Sequence, residues 1–253
     1  MFTQLSDRIW YMEQMVETDR PHLGYIRGDR YSLMVDAGNS PAHLALFLAE
    51  LKRAGLKSPD FIGITHWHWD HTFGMCAARV PTIASRRTDR HLRRIMEWKW
   101  DDASMEERLR TREDTEFSTA LIRKEYPDRS LIRVVPADIV FTERLSVDLG
   151  GVSCEMILLE GPHSEDGVIY FLPEERFVFL GDSPGKDLMG LDWHYDPAHP
   201  ERIKELLAPL PYDPARLRPY IEYLEGLDFK HALASHDDLY TRESLFSDRK
   251  KYY

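Results

Sequence analysis

Residues 64–75 read ITHWHWDHTFGM. His66, His68, Asp70 and His71 fall close together there, with Trp67 and Trp69 between them. A divalent metal needs several lone-pair donors within ~2.0–2.2 Å of one point, and imidazoles and carboxylates supply them. His66 and His68 are two apart, so at the end of an extended strand they project to the same side. Asp70 and His71 follow where the chain should turn. Their directions then differ, and one short loop can feed two adjacent metals. With 11 histidines in 253 residues, a chance H-x-H-x-D-H arises in roughly one such chain per thousand. By the same alternation, Trp67 and Trp69 should point to the opposite face and serve packing.

Three more candidates stand beyond hydrophobic strands. EMILLEG leads to His163, RFVFLG leads to Asp182 and HALAS leads to His236. In a layered α/β fold, the loops beyond strand ends gather along one edge, where sites are commonly built. One shared site explains these placements better than separate accidents.

The elements that must position these residues can be read from pattern. IWYMEQMV, LGYIRG and YSLMVDAG read as N-terminal strands. NSPAHLALFLAELKRAGL is a helix with a cap at Asn39 or Ser40, Pro41 in its first turn and Gly55 at its end. FIGIT, 61–65, is a short buried strand entering the histidine cluster. Residues 86–130 carry dense charge of both signs and read as a helical insertion or cap. LIRVVPADIVFTERLSVDLGGVSCEMILLEG returns to strands, and GVIYFLPEERFVFLGD is a hairpin. DPAHPERIKELLAPL and DPARLRPYIEYLEGL read as helices started by Asp-Pro. A last strand lies in FKHALASHDD. The pattern is mixed α/β, one domain over 1–253, with layered sheets flanked by helices.

The chain resembles the metallo-β-lactamase superfamily of dinuclear metallohydrolases. Thr65 to His71 stand as its T-H-x-H-x-D-H signature. His163, Asp182 and His236 match its downstream ligands, and LMVDAG matches an early strand-and-turn element. The resemblance implies a four-layered αββα sandwich. It implies that His66, His68 and His163 hold a first metal, that Asp70, His71 and His236 hold a second, and that Asp182 bridges them. Asp70 and Asp182 are then the catalytic carboxylates. Asp36 either orients a ligand from behind or is a turn-stabilising aspartate before Gly38.

Two metals sharing a water lower its pKa, and the bridging hydroxide attacks while a metal polarises the bond under attack. Nitrogen and oxygen donors suit zinc, and also iron or manganese. By resemblance, an aspartate at 182 matches glyoxalase II, lactonases and phosphodiesterases rather than antibiotic-degrading lactamases. The expected reaction is hydrolysis of an ester-type bond (thioester, lactone or carboxylic ester) in a small molecule. The alternative is a phosphodiesterase or nuclease, for which RRTDRHLRR at 86–94 is the best support. A net charge of −10 and the acidic residues that follow this run favour a solvated helix face and argue against nucleic acid. No apolar run long enough to span a membrane and no signal-peptide pattern appears, so a cytoplasmic setting is expected. Trp98, Trp100 and Phe117 either line the site or pack the inserted helices. Lys186 is a candidate anion contact. His194 reads as a surface histidine and Cys76 as a packing residue.

Overall fold

The computed structural model describes residues 1–189, 191 and 193–252. Among them, two sheets stack. The first has seven strands in chain order: β1 (Phe2–Gln4), β2 (Ile9–Met12), β3 (Leu23–Arg27), β4 (Ser32–Val35), β5 (Phe61–Gly63), β6 (Thr82–Ser85) and β7 (Ile139–Phe141). Pairing is antiparallel from β1 to β4 and parallel from β4 to β7. The second sheet holds β8 (Arg144–Asp148), β9 (Ser153–Leu158), β10 (Val168–Leu172), β11 (Phe177–Gly181), β12 (His231–Ala234) and β13 (Leu239–Thr241). There β11 and β12 run parallel and the other neighbours antiparallel. The helices are α1 (Pro41–Arg53), α2 (Trp69–Thr72), α3 (Arg86–Ile95), α4 (Asp102–Arg110), α5 (Glu116–Glu125), α6 (Ile203–Leu207), α7 (Pro214–Glu225) and α8 (Arg242–Arg249).

Alternation along the strands builds the layers. Leu33 and Val35 of β4 meet Val168, Tyr170 and Leu172 of β10 and Phe177 and Phe179 of β11 between the sheets. Met34 points the other way, into a core with Leu44, Phe47 and Leu51 of α1 and Leu92, Leu121 and Ile122 of α3 and α5. On the far side, Ile169, Phe171, Val178 and Leu180 pack on Leu217, Tyr220, Ile221 and Leu224 of α7 and Leu245 of α8. Both faces of β10 and β11 are buried, which is why VIYFL and FVFLG are continuous apolar runs. The result is the αββα sandwich.

Local chemistry sets the boundaries. Ser40 accepts from the His43 N–H and caps α1, with Pro41 in the first turn. Asp213 caps α7 in the same way through the Ala215 N–H. The helix expected from Asp196-Pro197 instead begins as a 3-10 turn at Pro200–Arg202 and continues as α6. Asp196 spends its carboxylate on the Ala198 N–H in a local turn, and His199 is kept from helical dihedrals by the following proline. Residues 131–138 form no regular strand. Pro136 lacks a donor there, and β7 starts only at Ile139. The charged segment 86–130 is helical as expected. Its three helices form the crossover between the parallel neighbours β6 and β7, a connection that parallel pairing requires.

Candidate metal centre

The donors gather beyond the ends of β5, β9, β11 and β12. β5 ends at Gly63, two residues earlier than expected, and the chain runs irregularly through Ile64–His68 into α2. The Nε2 of His66 and of His163 each lie 3.0 Å from the Nδ1 of His68. Asp70, His71, Asp182 and His236 form a second group. Within each group the ligand atoms lie within 4.8 Å of one another. Asp182 stands between them, with Oδ2 3.7 Å from His163 Nε2 and 3.5 Å from His236 Nε2. His71 Nε2 and Asp182 Oδ1 are buried without a well-aligned hydrogen bond, with His71 Nε2 2.8 Å from Asp70 Oδ2 and 3.5 Å from Asp182 Oδ1. Converging imidazole nitrogens and unpartnered buried polar atoms are costly unless something satisfies them. This donor set fits divalent cations.

Behind the donors lies a hydrogen-bonded frame. Asp36 is fully buried with φ of 63°, in the left-handed region. It accepts from the Thr65 N–H (2.7 Å) and hydroxyl (2.9 Å), and from His71 Nδ1 (2.7 Å). Thr65 Oγ1 in turn lies 3.1 Å from His66 Nδ1. One carboxylate thus orients His71 directly and His66 through Thr65, turning both Nε2 atoms toward the centre. Asp36 therefore holds candidate donors in place as well as occupying the turn. His163 Nδ1 donates to the Lys186 carbonyl at 2.8 Å. Gly181 delivers Asp182. Its φ is +57°, and a Cβ there would lie 2.7 Å from Thr65 Cβ. The ladder between β11 and β12 shifts register at the same point.

The electrostatics divide the groups. Burial, helped by neighbouring imidazoles, holds His66 well below its usual range and His68 down at about 3, so both offer neutral lone pairs. Burial alone would also lower His71 and His236. The carboxylates around them override it, raising His71 well above its usual range and His236 to about 10. Against the same burial, His71 and His236 pull Asp70 down, and with His163 they hold Asp182 well below the carboxylate range. Within the second group, the carboxylates of Asp70 and Asp182 form an anionic pair that attracts positive charge.

The centre opens into a cavity of about 380 Å³. Several sequence expectations change here. Trp67 and Trp69 both line the cavity, although they pack as well. Trp67 stacks on His91 with centroids 5.1 Å apart, and Trp69 is buried against Phe73. They fail to point away because this stretch is a turn, where strand alternation does not hold. Trp98, Trp100 and Phe117 also do both: they line the cavity, and the two tryptophans sandwich Arg108 at 4.5 and 4.8 Å. Lys186 is spent, donating to the carbonyls of Leu207 and Ala208. His194 is exposed and pairs with Glu116. In the run 86–94, Arg87 pairs with Glu160, Arg90 and His91 with Glu165, and Arg93 with Asp89.

Two wall residues had no sequence signal. Asp19 is buried in the left-handed conformation after a single 3-10 turn, 3.9 Å from His236 Nδ1. Burial and then the Asp70 charge push its carboxyl up. Arg249 is buried on α8 and donates to the Pro184 carbonyl, Asp237 and the Tyr240 hydroxyl.

A two-group donor set on the edge of an αββα sandwich defines a dinuclear-type metallohydrolase centre. The model of the metallo-beta-lactamase superfamily matches residues 21–236, and the chain belongs to that superfamily. It is 26% identical over 165 residues to a hydroxyacylglutathione hydrolase of Ruegeria pomeroyi, covering 61% of this chain and 48% of that protein. The chain thus spans about half the length of the curated relative it matches. In fold it is similar to a metallo-beta-lactamase from Pontibacter korlensis (TM-score 0.58, 17% identity, 99% of this chain and 97% of that one). It is also similar to a double mutant of the sec-alkyl sulfatase PisA1 (TM-score 0.61, 15% identity, 99% of this chain and 41% of that one). Among the described residues, no helix is long and apolar enough to cross a membrane.

Proposed function

We propose that the chain hydrolyses an ester-type bond, as a thioester, lactone or carboxylic ester, of a small molecule in the cytoplasm. The observation that carries this reading is Asp182, an aspartate set between the two donor groups. His66, His68 and His163 would hold one divalent ion, and Asp70, His71 and His236 the other, with Asp182 shared. The all-nitrogen-and-oxygen set suits zinc first, with iron and manganese as alternatives. Bound there, such ions supply an acidified water and polarise the carbonyl under attack. Asp36 and Thr65 keep the imidazoles aimed. Asp70 and Asp182 provide the negative charge that balances the site and face the reacting space. The aromatic wall limits competing water. Overall, water gives its OH to the acyl carbon, the C–O or C–S bond breaks, and the leaving alcohol or thiol takes the proton.

The hydroxyacylglutathione hydrolase relative supports a thioester or related substrate. The phosphodiester alternative loses its sequence support, because most of the basic run at 86–94 is ion-paired within the fold. The test is a panel of thioester, lactone, nitrophenyl ester and bis-nitrophenyl phosphate given to the metal-supplemented protein. Turnover of a carboxylic substrate, abolished in Asp182→Ala, is expected. Turnover of the phosphodiester alone would overturn the reading.

A further inference from the structure

The cavity next to the donors has a lining whose chemistry constrains what lies beyond the scissile bond. Trp98, Trp100 and Phe117 contribute from the crossover segment, and Leu188, Ile203 and Leu207 from the stretch after Asp182. Two cations in the lining are engaged elsewhere. The Lys186 ammonium is held by two carbonyls, and Arg249 by a carbonyl, Asp237 and a tyrosine hydroxyl. Lys204 is exposed on α6. Asp114 lies in the lining away from the donor centre, whereas Asp19 lies beside His236. Asp114 is half-buried and accepts from the Thr115 N–H. An anionic group placed among the apolar walls would lose water without a buried cation to pair with, because Lys204 is exposed and its charge is screened by solvent. An apolar group would gain from burial at every methylene.

We infer that the acyl part of the substrate is an uncharged apolar chain or ring, carrying no carboxylate or phosphate at its far end. This rests on the ester-hydrolase reading above and narrows it. It also separates this chain's substrate from polar, multiply charged thioesters.

The test uses nitrophenyl esters of acetate, butanoate, hexanoate and octanoate, together with the mono-ester of octanedioic acid, which ends in a free carboxylate. For the metal-supplemented protein, kcat/KM should rise with chain length, by up to about fourfold per methylene until the cavity is filled. The octanedioyl ester should be at least tenfold worse than the octanoyl ester. A flat series, or equal or better turnover of the octanedioyl ester, would overturn the inference while leaving ester hydrolysis intact. If no ester is turned over, the hydrolase reading fails, and binding still decides the cavity. Octan-1-ol should then quench the wall tryptophans at tenfold lower concentration than 8-hydroxyoctanoate, and equal binding would overturn the inference. In Leu207→Lys, a free ammonium joins the lining, and the octanedioyl-to-octanoyl rate ratio should rise at least tenfold. Retained turnover with an unchanged ratio would contradict this placement of the acyl group.

Discussion

Asp36 shows how much of the centre depends on one carboxylate outside the donor set. It holds His71 directly and His66 through Thr65, from a backbone conformation that few residues other than Gly, Asn and Asp adopt. Asp36→Ala should lower metal affinity by ~10–100-fold, with Asp36→Asn falling between, as read by competition with a chromophoric chelator. Affinity equal to the parent would show that the histidines orient themselves. His43 is a second telling residue. It is buried on α1, and burial followed by the Arg20 charge lowers its pKa from 6.5 to about 3. Above pH 6.5 it is neutral in both folded and unfolded chains and contributes no pH slope. Below that, the unfolded chain takes a proton that the folded one refuses, so stability falls as pH falls, by up to ~1.4 kcal/mol per pH unit. Denaturant melts in chelator at pH 7 and pH 5 should show a smaller drop for His43→Gln than for the parent. At this scale the seven candidate donors that the fold brings together were legible, because imidazoles and carboxylates at strand ends are rare by chance. Asp19 and Arg249 were not, since a lone aspartate in VETDR and one of two arginines in a charged helix carry no pattern.

The elements were legible where local chemistry decides them. Ser40 with Pro41 and Asp213 with Pro214 mark helix starts through their own side chains. The doubly buried strands β10 and β11 show as unbroken apolar runs. Misreadings came where a proline or a turn interrupts the pattern: at Pro136, at the Asp196–Pro200 stretch, and after Gly63, where strand alternation was extended two residues too far and misplaced the tryptophans. α8 was missed because RESLFSDR has few apolar positions, and it docks through buried Leu245, partly buried Phe246 and the hydrogen bonds of Arg249. The sheet-to-sheet fit is close. A Cβ on Gly24 would lie 2.6 Å from the Phe179 ring. Phe179→Ala should therefore cost ~3–5 kcal/mol in urea denaturation, from lost burial and the cavity left behind. A loss under ~1 kcal/mol would mean that the two sheets collapse together to refill the space.

For the whole molecule, the order of strands and helices pointed to layered sheets flanked by helices, and the four-layered sandwich was what the family resemblance implied. The cavity did not follow. It is assembled from segments far apart in sequence, among them the turn at Asp19, the turn after β5, the crossover helices, the stretch after Asp182, the residues around His236 and α8, whose meeting only the fold reveals. That is why the donor centre could be read from the chain and its substrate could not. The central claim is that this edge of the sandwich carries two metal ions. Elemental analysis of the full chain, purified without added metal or chelator, tests it most directly. Close to two transition-metal ions per chain, falling in Asp182→Ala, is the predicted result. A parent chain with no bound metal, and none after reconstitution with zinc, iron or manganese, would contradict it.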